Sequence, residues 1–318
     1  MSFDSCPDDP LVATYSIVAR DAATGQIGVA VQSCHFGVGS VVPWAEAGVG
    51  AVATQSFTNV AFGPEGLALL RAGIPASDAI EKLLETDPGR AARQVGLVDA
   101  TGRAAAYTGS GCIPAAGHSI ADGVSVQANM MTDGGVWPAM LSAYGGSAGD
   151  LAARLLAALQ AAEAAGGDIR GRQSAALIVV SGERANKPWQ GRVFDLRVED
   201  HPEPVVELAR LVRLQRAVSA HAGFLSSMRE GTVDRAFTFL QHALQLAPEL
   251  DEVKLSAAIG LYFQRRGADA QRALSEIFTR RPGLAIWLDR MAAAGMLPAD
   301  PGFLQAVNAA RSSSGASR

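Results

Sequence analysis

Three cysteines in 318 residues, Cys6, Cys34 and Cys112, are too few and too widely spaced for a disulfide framework or a CxxC metal pattern. A reducing compartment is the natural reading. Lysine is also scarce: Lys82, Lys187 and Lys254 are the only three among 27 basic residues. With Ala and Gly abundant, this reads as genome composition bias and lowers the weight of any single arginine. No basic run offsets the formal net charge of −4, so the electrostatic footprint of a nucleic-acid binder is missing. No apolar run approaches the roughly 18 residues of a membrane span. The first ten residues are acidic and lack an apolar stretch, so they do not read as a signal peptide. The expectation is a soluble, cytoplasmic protein with no nucleic-acid or membrane partner.

Nearly half the residues are apolar and 18% are charged, which permits a sizeable core. The length suits two domains at about 150 residues each. Residues 1–13 read as a polar N-terminal arm. Thr14–Arg20 and Gln26–Ser33 are β-branched-rich runs joined by the turn Asp21–Gly25, and Gly48–Phe57 is a third strand candidate. Pro64–Asp87 turns helical, in two pieces broken at Gly73-Ile74-Pro75. Gln94–Asp99, Ala104–Thr108 and Val124–Met130 are strands. Helices follow over Trp137–Tyr144 and Leu151–Ala165, then strands over Ser174–Val180 and Phe194–Val198. Neighbouring strands are too close for parallel crossovers, so the pattern predicts an antiparallel α+β fold with helices covering the sheet faces.

After His201-Pro202-Glu203-Pro204 the chain reads as helical throughout. At a spacing of 34 residues, Ala236 matches Ala270, Leu240 matches Leu274, Ala243 pairs with Ile277 and Pro248 matches Pro282. The period resembles tetratricopeptide repeats, although their full aromatic and glycine pattern is not met. Residues 216–318 are expected to form this helical module, with the last residues disordered.

Two familiar strings lack the context their chemistry needs. Gly145-Gly-Ser-Ala-Gly149 spells a nucleophile elbow, but a helix rather than a strand precedes it, so Ser147 reads as an N-cap for the next helix. Gly48–Ala53 spells a dinucleotide fingerprint with no helix opening after it. Glu199, Asp200, His201 and Glu203 form a charged cluster that reads as a solvated linker rather than a metal site. Cys34 and His35 are neighbours on a strand end and point to opposite faces, which disfavours a dyad.

Polar residues at strand ends carry more. Gln127 and Asn129 share one face of their strand by alternation. Buried amides need partners, so the pair marks either an internal hydrogen-bond network or a substrate-recognition or oxyanion device. Gln32-Ser33 with His35, and Gln55-Ser56 with Asn59, are similar clusters. The stretch Gly166–Ser174 packs Asp168, Arg170, Arg172, Gln173 and Ser174 into a connector that needs none of them, which suits an Arg–carboxylate network or a carboxylate clamp.

Several blocks resemble one family. Thr14–Asp21, Gly28–Ser33, Val42–Gln55, Gly63–Leu67, Val126–Met131 and Gly167–Leu177 are similar, in order, to the bacterial domain of unknown function 1028, which is classed with the N-terminal-nucleophile (Ntn) hydrolases. The likeness runs over residues 14–215. It implies a four-layer αββα sandwich with two antiparallel sheets, followed here by an all-α module, and a metal-independent, cofactor-free amidohydrolase acting on a small amide or carbamoyl compound. It also implies that Thr14, opening the first strand, is the nucleophile.

In that chemistry one residue serves twice, its hydroxyl attacking and its own free α-amine taking the proton. An internal peptide nitrogen cannot act as that base, so residues 1–13 must be removed. Self-cleavage at Ala13–Thr14, a different start site, or a folded but silent protein are the alternatives. By topological analogy, Asp168 and Ser174 would orient Thr14, and Asn129 would donate to the oxyanion. Arg170 or Arg172 would hold a substrate carboxylate, and His35, Gln55 and Gln127 would line the pocket. A homo-oligomer, and a protein partner or peptidoglycan-related role through residues 216–318, are compatible with this reading.

Overall fold

The computed structural model describes residues 11–12, 14–187, 189–295, 297 and 300–314. Most of the N-terminal arm, including Ala13, and the last four residues lie outside the described residues. By contacts the chain divides into a first unit ending at Val212 and a second beginning at Arg213.

The first unit is mixed α/β with two antiparallel sheets. In chain order it contains β1 (Leu11–Val12), β2 (Thr14–Arg20), β3 (Ile27–Ser33), β4 (Pro43–Glu46) and β5 (Gly50–Phe57). Then come α1 (Phe62–Arg71), α2 (Ala76–Glu85), β6 (Arg93–Asp99), β7 (Ala104–Thr108), β8 (Gly117–Ala121) and β9 (Val124–Asn129). The unit closes with α3 (Val136–Gly146), α4 (Leu151–Ala164), β10 (Ser174–Val180), β11 (Arg192–Val198) and the start of α5 (Pro204–Arg229). The six-stranded sheet runs β11-β10-β3-β2-β9-β8. In the five-stranded sheet β5 pairs with β6, β6 with β7, and both β1 and β4 pair with β5.

Alternation along the strands separates the layers. Tyr15, Ile17 and Ala19 of β2 pack with Met140, Leu155 and Leu159 of α3 and α4, while Val18, Val29, Val31, Ala51, Ala53 and Val98 meet between the two sheets. Val52, Val95 and Leu97, on the other face of the five-stranded sheet, pack on Leu67, Leu70, Ile80 and Leu83 of α1 and α2. The helix spacing explains this: Ala76, Ala79, Ile80, Leu83 and Leu84 of α2 form one stripe at helical period. The break between α1 and α2 falls at the expected glycine and proline.

Ser147 does not cap α4. Its hydroxyl donates to the Ala143 carbonyl at 2.6 Å and is spent closing α3, so the N-cap passes to Asp150, which accepts from the Ala153 N–H at 2.9 Å. Three strands escape the sequence pattern: β1, β4 and β8.

The second unit contains the rest of α5, then α6 (Val233–Leu246), α7 (Asp251–Phe263), α8 (Gly267–Arg280), α9 (Gly283–Ala293) and α10 (Pro301–Ser314). Of the positions that recur at 34 residues, Ala236, Leu240 and Ala243 on α6 and Ala270, Leu274 and Ile277 on α8 are buried, whereas Pro248 and Pro282 are exposed. Among the described residues no helix is long and apolar enough to cross a membrane.

Candidate functional site

Beside the apolar cluster between the two sheets lies a group of buried amides and hydroxyls. The strand registers explain where. Thr14 pairs with Asn129 on one side and Ser33 on the other, and Ser33 pairs with Ser174. Directly paired residues project to the same face, so Asn129, Thr14, Ser33 and Ser174 form one row across β9, β2, β3 and β10. The row faces the other sheet, since Ser16 and Val18 follow Thr14 at period two. All four residues are fully buried.

The amides next to this row form a network whose polarity is fixed by backbone groups. Gln94 Nε2 meets the carbonyls of Ala128 at 2.9 Å and Gly117 at 3.2 Å, which can only accept. That atom is therefore the nitrogen, and Gln94 Oε1 accepts from Gln55 Nε2 at 2.7 Å and Asn129 Nδ2 at 2.9 Å. Gln55 Nε2 also lies 3.3 Å from the Thr14 carbonyl, and Asn129 Nδ2 lies 3.5 Å from it. Further along, Ser16 Oγ donates to Gln55 Oε1, Gln127 Nε2 donates to Ser16 Oγ, and Ser125 Oγ donates to Gln127 Oε1, all within 2.6–2.8 Å. Gly96 makes room for the Gln127 amide: a Cβ there would lie 2.2 Å from Gln127 Oε1.

One acceptor in this network is left over. Asn129 Oδ1 is buried with no partner among the described residues. The Thr14 hydroxyl donates to the Val12 carbonyl at 2.9 Å. Leu11 and Val12 themselves pair with Phe57 and Ser56 of β5 in the five-stranded sheet, whereas Thr14 pairs within the six-stranded one.

The remaining residues singled out by sequence occupy the same end of the sheets but hold other partners. Ser174 Oγ donates to the His35 carbonyl at 2.5 Å and accepts from the Val38 N–H at 3.0 Å, fixing the turn after β3. His35 is half-buried, and burial followed by the nearby Arg170 charge pushes its pKa below the ordinary 6.5. The Asp168 carboxylate accepts from the Arg170 backbone N–H at 2.9 Å and from its guanidinium at 3.2–3.3 Å. Arg172 donates to Glu163 at 2.8 Å, and the same carboxylate accepts from the Tyr15 hydroxyl. Burial, reinforced by Glu163, raises the Tyr15 pKa well above 10.0 and keeps it a donor. Gly166–Ser174 is thus an Arg–carboxylate network, with both arginines already paired.

Sequence reasoning finds Gln55, Gln127 and Asn129 but misses Gln94, Ser16, Thr108 and His118. Gln94 lies on the inward positions Gln94-Gly96-Val98 of β6, a signal that alternation contains but that needs the facing sheet to be read. Among the described residues no group of three His, Cys, Asp or Glu side chains is arranged to hold a metal ion.

No curated protein matches the chain. The crystal structure of a Silicibacter pomeroyi protein, itself described by the DUF1028 family model, is similar at 35% identity and a TM-score of 0.58. The match covers 63% of this chain and 85% of that one. The model of the same family, described as a family of unknown function, matches residues 14–208, and on that match the chain belongs to the DUF1028 family.

Proposed function

We propose that residues 14–215 are an Ntn-type amidohydrolase in a four-layer αββα sandwich, acting on a small amide or carbamoyl compound with Thr14 as nucleophile once residues 1–13 are removed. The observation that carries this reading is the position of Thr14. It opens a central strand, faces the space between the sheets and stands in a row of buried polar side chains. Among the described residues its hydroxyl bonds to the Val12 carbonyl, part of the segment that would depart.

Cleavage before Thr14 would release that hydroxyl and create an α-amine with an ordinary pKa near 8, able to act as base at neutral pH. The hydroxyl oxygen then attacks the substrate carbonyl while its proton passes to the amine. The proton goes on to the leaving nitrogen as the C–N bond breaks, and water releases the acid from the acyl ester. One N–H of Asn129 is held by Gln94 Oε1, and the other lies on the Thr14 side, where it can serve as the oxyanion donor. Its Oδ1, without a partner among the described residues, suits an acceptor for the new amine. Ser174 and Asp168 support the turn and loop around Thr14. His35, Gln55 and Gln127 remain the pocket residues of the proposal, and Arg170 or Arg172 would bind a substrate carboxylate by exchanging their present partners.

The test is hydrolysis of a panel of small amides by the purified protein. Thr14→Ser retaining activity and Thr14→Ala losing it at least 100-fold is the expected result. Equal hydrolysis by Thr14→Ala overturns the assignment.

A second reading, a ligand-binding protein without turnover, is favoured by the complete burial of Thr14 in the uncut chain behind Leu11–Val12. Residues 216–318 enter the proposal as a tetratricopeptide-like arm for a protein partner. Exposed Phe263, Ile286 and Trp287 support that role.

A further inference from the structure

The buried network ends at a surface cleft that none of the preceding roles uses. At the edge where β7 and β8 approach, a cavity of about 520 Å³ opens between Thr108, Ser110, Cys112, Gly117, His118 and Trp137. That volume falls within the range of small-molecule sites, roughly 300–1,000 Å³. Its walls are tied down by backbone hydrogen bonds. Gly109 N–H reaches the Arg93 carbonyl, Gly111 N–H the Ala91 carbonyl, and Met130 and Met131 N–H the carbonyls of Ile113 and Ala115, all within 2.6–3.1 Å. The indole of Trp137 lies flat enough on β8 that a Cβ on Gly117 would fall 2.4 Å from it. Glycine at 117 is what lets the ring form one wall.

The chemistry of the cleft is set by one proton. Thr108 Oγ1 accepts from Gln94 Nε2 at 2.9 Å, and that nitrogen is fixed as a donor by two backbone carbonyls. The Thr108 hydroxyl proton is then free to point at His118 Nδ1, 2.8 Å away. In the tautomer whose Nδ1 accepts this proton, the neutral imidazole carries its own proton on Nε2, which has no hydrogen-bond partner among the described residues. Burial lowers the His118 pKa from 6.5 and so favours this neutral ring at physiological pH. The Cys112 thiol is buried and turned to the Arg93 carbonyl, at 3.3 Å. Among the described residues no Asp, Glu, Lys or Arg lines the cleft. The site therefore offers a neutral N–H donor, a hydroxyl at Ser110 and an aromatic face, with no charge to pair an ion.

We propose that this cleft binds an uncharged planar amide across the end of the edge strand β8, its carbonyl accepting from His118 Nε2–H on one face of the strand and its plane lying against Trp137 on the other. A carboxylate of the same shape would lose hydration without gaining a counter-charge. The site lies about 12 Å from Thr14, a span of two strand spacings and two residues along β2. Binding there does not require Thr14 to react, so it stands or falls apart from the hydrolase reading.

The experiment uses the full-length protein with ¹⁵N-labelled histidine, titrated separately with benzamide and benzoate and followed at the His118 ring. Free protein is expected to show the Nε2–H tautomer at His118. Benzamide should shift that ring saturably, and benzoate should bind at least tenfold more weakly. Trp137→Ala should weaken benzamide at least tenfold, whereas Trp137→Phe, which keeps an aromatic face, should stay within threefold. A benzamide titration that leaves His118 unmoved, or benzoate binding within tenfold of benzamide, overturns the proposal. These two readings use the unaltered protein, so they hold even if Trp137→Ala fails to fold. If that variant folds and binds benzamide as before, the proposed face is wrong.

Discussion

Gln94 is one of the residues that join the two sheets by side chains, beside the Ser16–Gln55 and Thr108–His118 contacts. Its amide takes part in five hydrogen bonds, donating to Thr108, Gly117 and Ala128 and accepting from Gln55 and Asn129. Replacing it by Leu keeps the volume and removes every one. The Gln55 and Asn129 nitrogens would then face an apolar group inside the protein, and each unsatisfied buried donor costs about 1–3 kcal/mol. Gln94→Leu should therefore destabilise the protein by about 2–5 kcal/mol, read as a lower urea midpoint with little change in slope. A change under about 0.5 kcal/mol would mean the network adds nothing net. Part of this site was legible beforehand. Gln127 and Asn129 fall on one face by simple alternation, and Gln55 sits at a strand end. Gln94 and His118 were not legible as partners, because which amide faces which is decided by the packing of two sheets.

At the scale of elements, the β-branched runs made the long central strands readable: β2, β3, β6, β9 and β10 lie where the pattern placed them. Three strands did not declare themselves. β1 has two residues, β4 is a four-residue segment opened by proline, and β8, Gly-His-Ser-Ile-Ala, is a half-exposed edge strand without alternation. Each exists because a neighbouring strand offers an unpaired edge, which is tertiary information. The cap of α4 makes the same point in one residue. Ser147 and Asp150 are both good cap types, and the choice fell to Asp150 because the serine hydroxyl was already spent on α3. Asp150→Ala should cost about 1 kcal/mol by thermal or urea unfolding, while Ser147→Ala should leave the α4 start unchanged. Equal losses of helix protection in hydrogen exchange for the two variants would contradict this assignment.

Across the whole molecule, acid stability should depend on a few well-held carboxylates. Burial works to raise the Asp87 pKa, but the Arg93 guanidinium and the Gly89 N–H outweigh it and hold the group below its ordinary 3.8. Asp99 behaves alike, through Thr101 and Arg103. A carboxyl whose pKa is depressed by folding binds its proton less readily in the native state. It stabilises the fold above the unfolded pKa, and that contribution is lost as the pH falls through the folded value. Stability should accordingly be flat near neutrality and decline below about pH 4. The Arg93–Asp87 pair is almost completely buried, with side-chain exposures of 4% and 6%. Arg93→Met strands the carboxylate and should cost about 3–5 kcal/mol at pH 7, with less difference from the unaltered protein at pH 3. A penalty independent of pH would place the role of Arg93 in packing instead.

The proposal that the fold serves Ntn chemistry rests on Thr14, and the space around that residue ties it to the segment before it. As long as Val12 holds the hydroxyl, Thr14 has neither a free amine nor access to a substrate. The intact mass of the purified protein, measured for the unaltered chain and for Thr14→Ala, tests this most directly. The account predicts an unaltered chain that begins at Thr14 and hydrolyses an amide, and a Thr14→Ala chain that keeps residues 1–13 and does not. An unaltered chain that retains residues 1–13 while hydrolysing amides would contradict it.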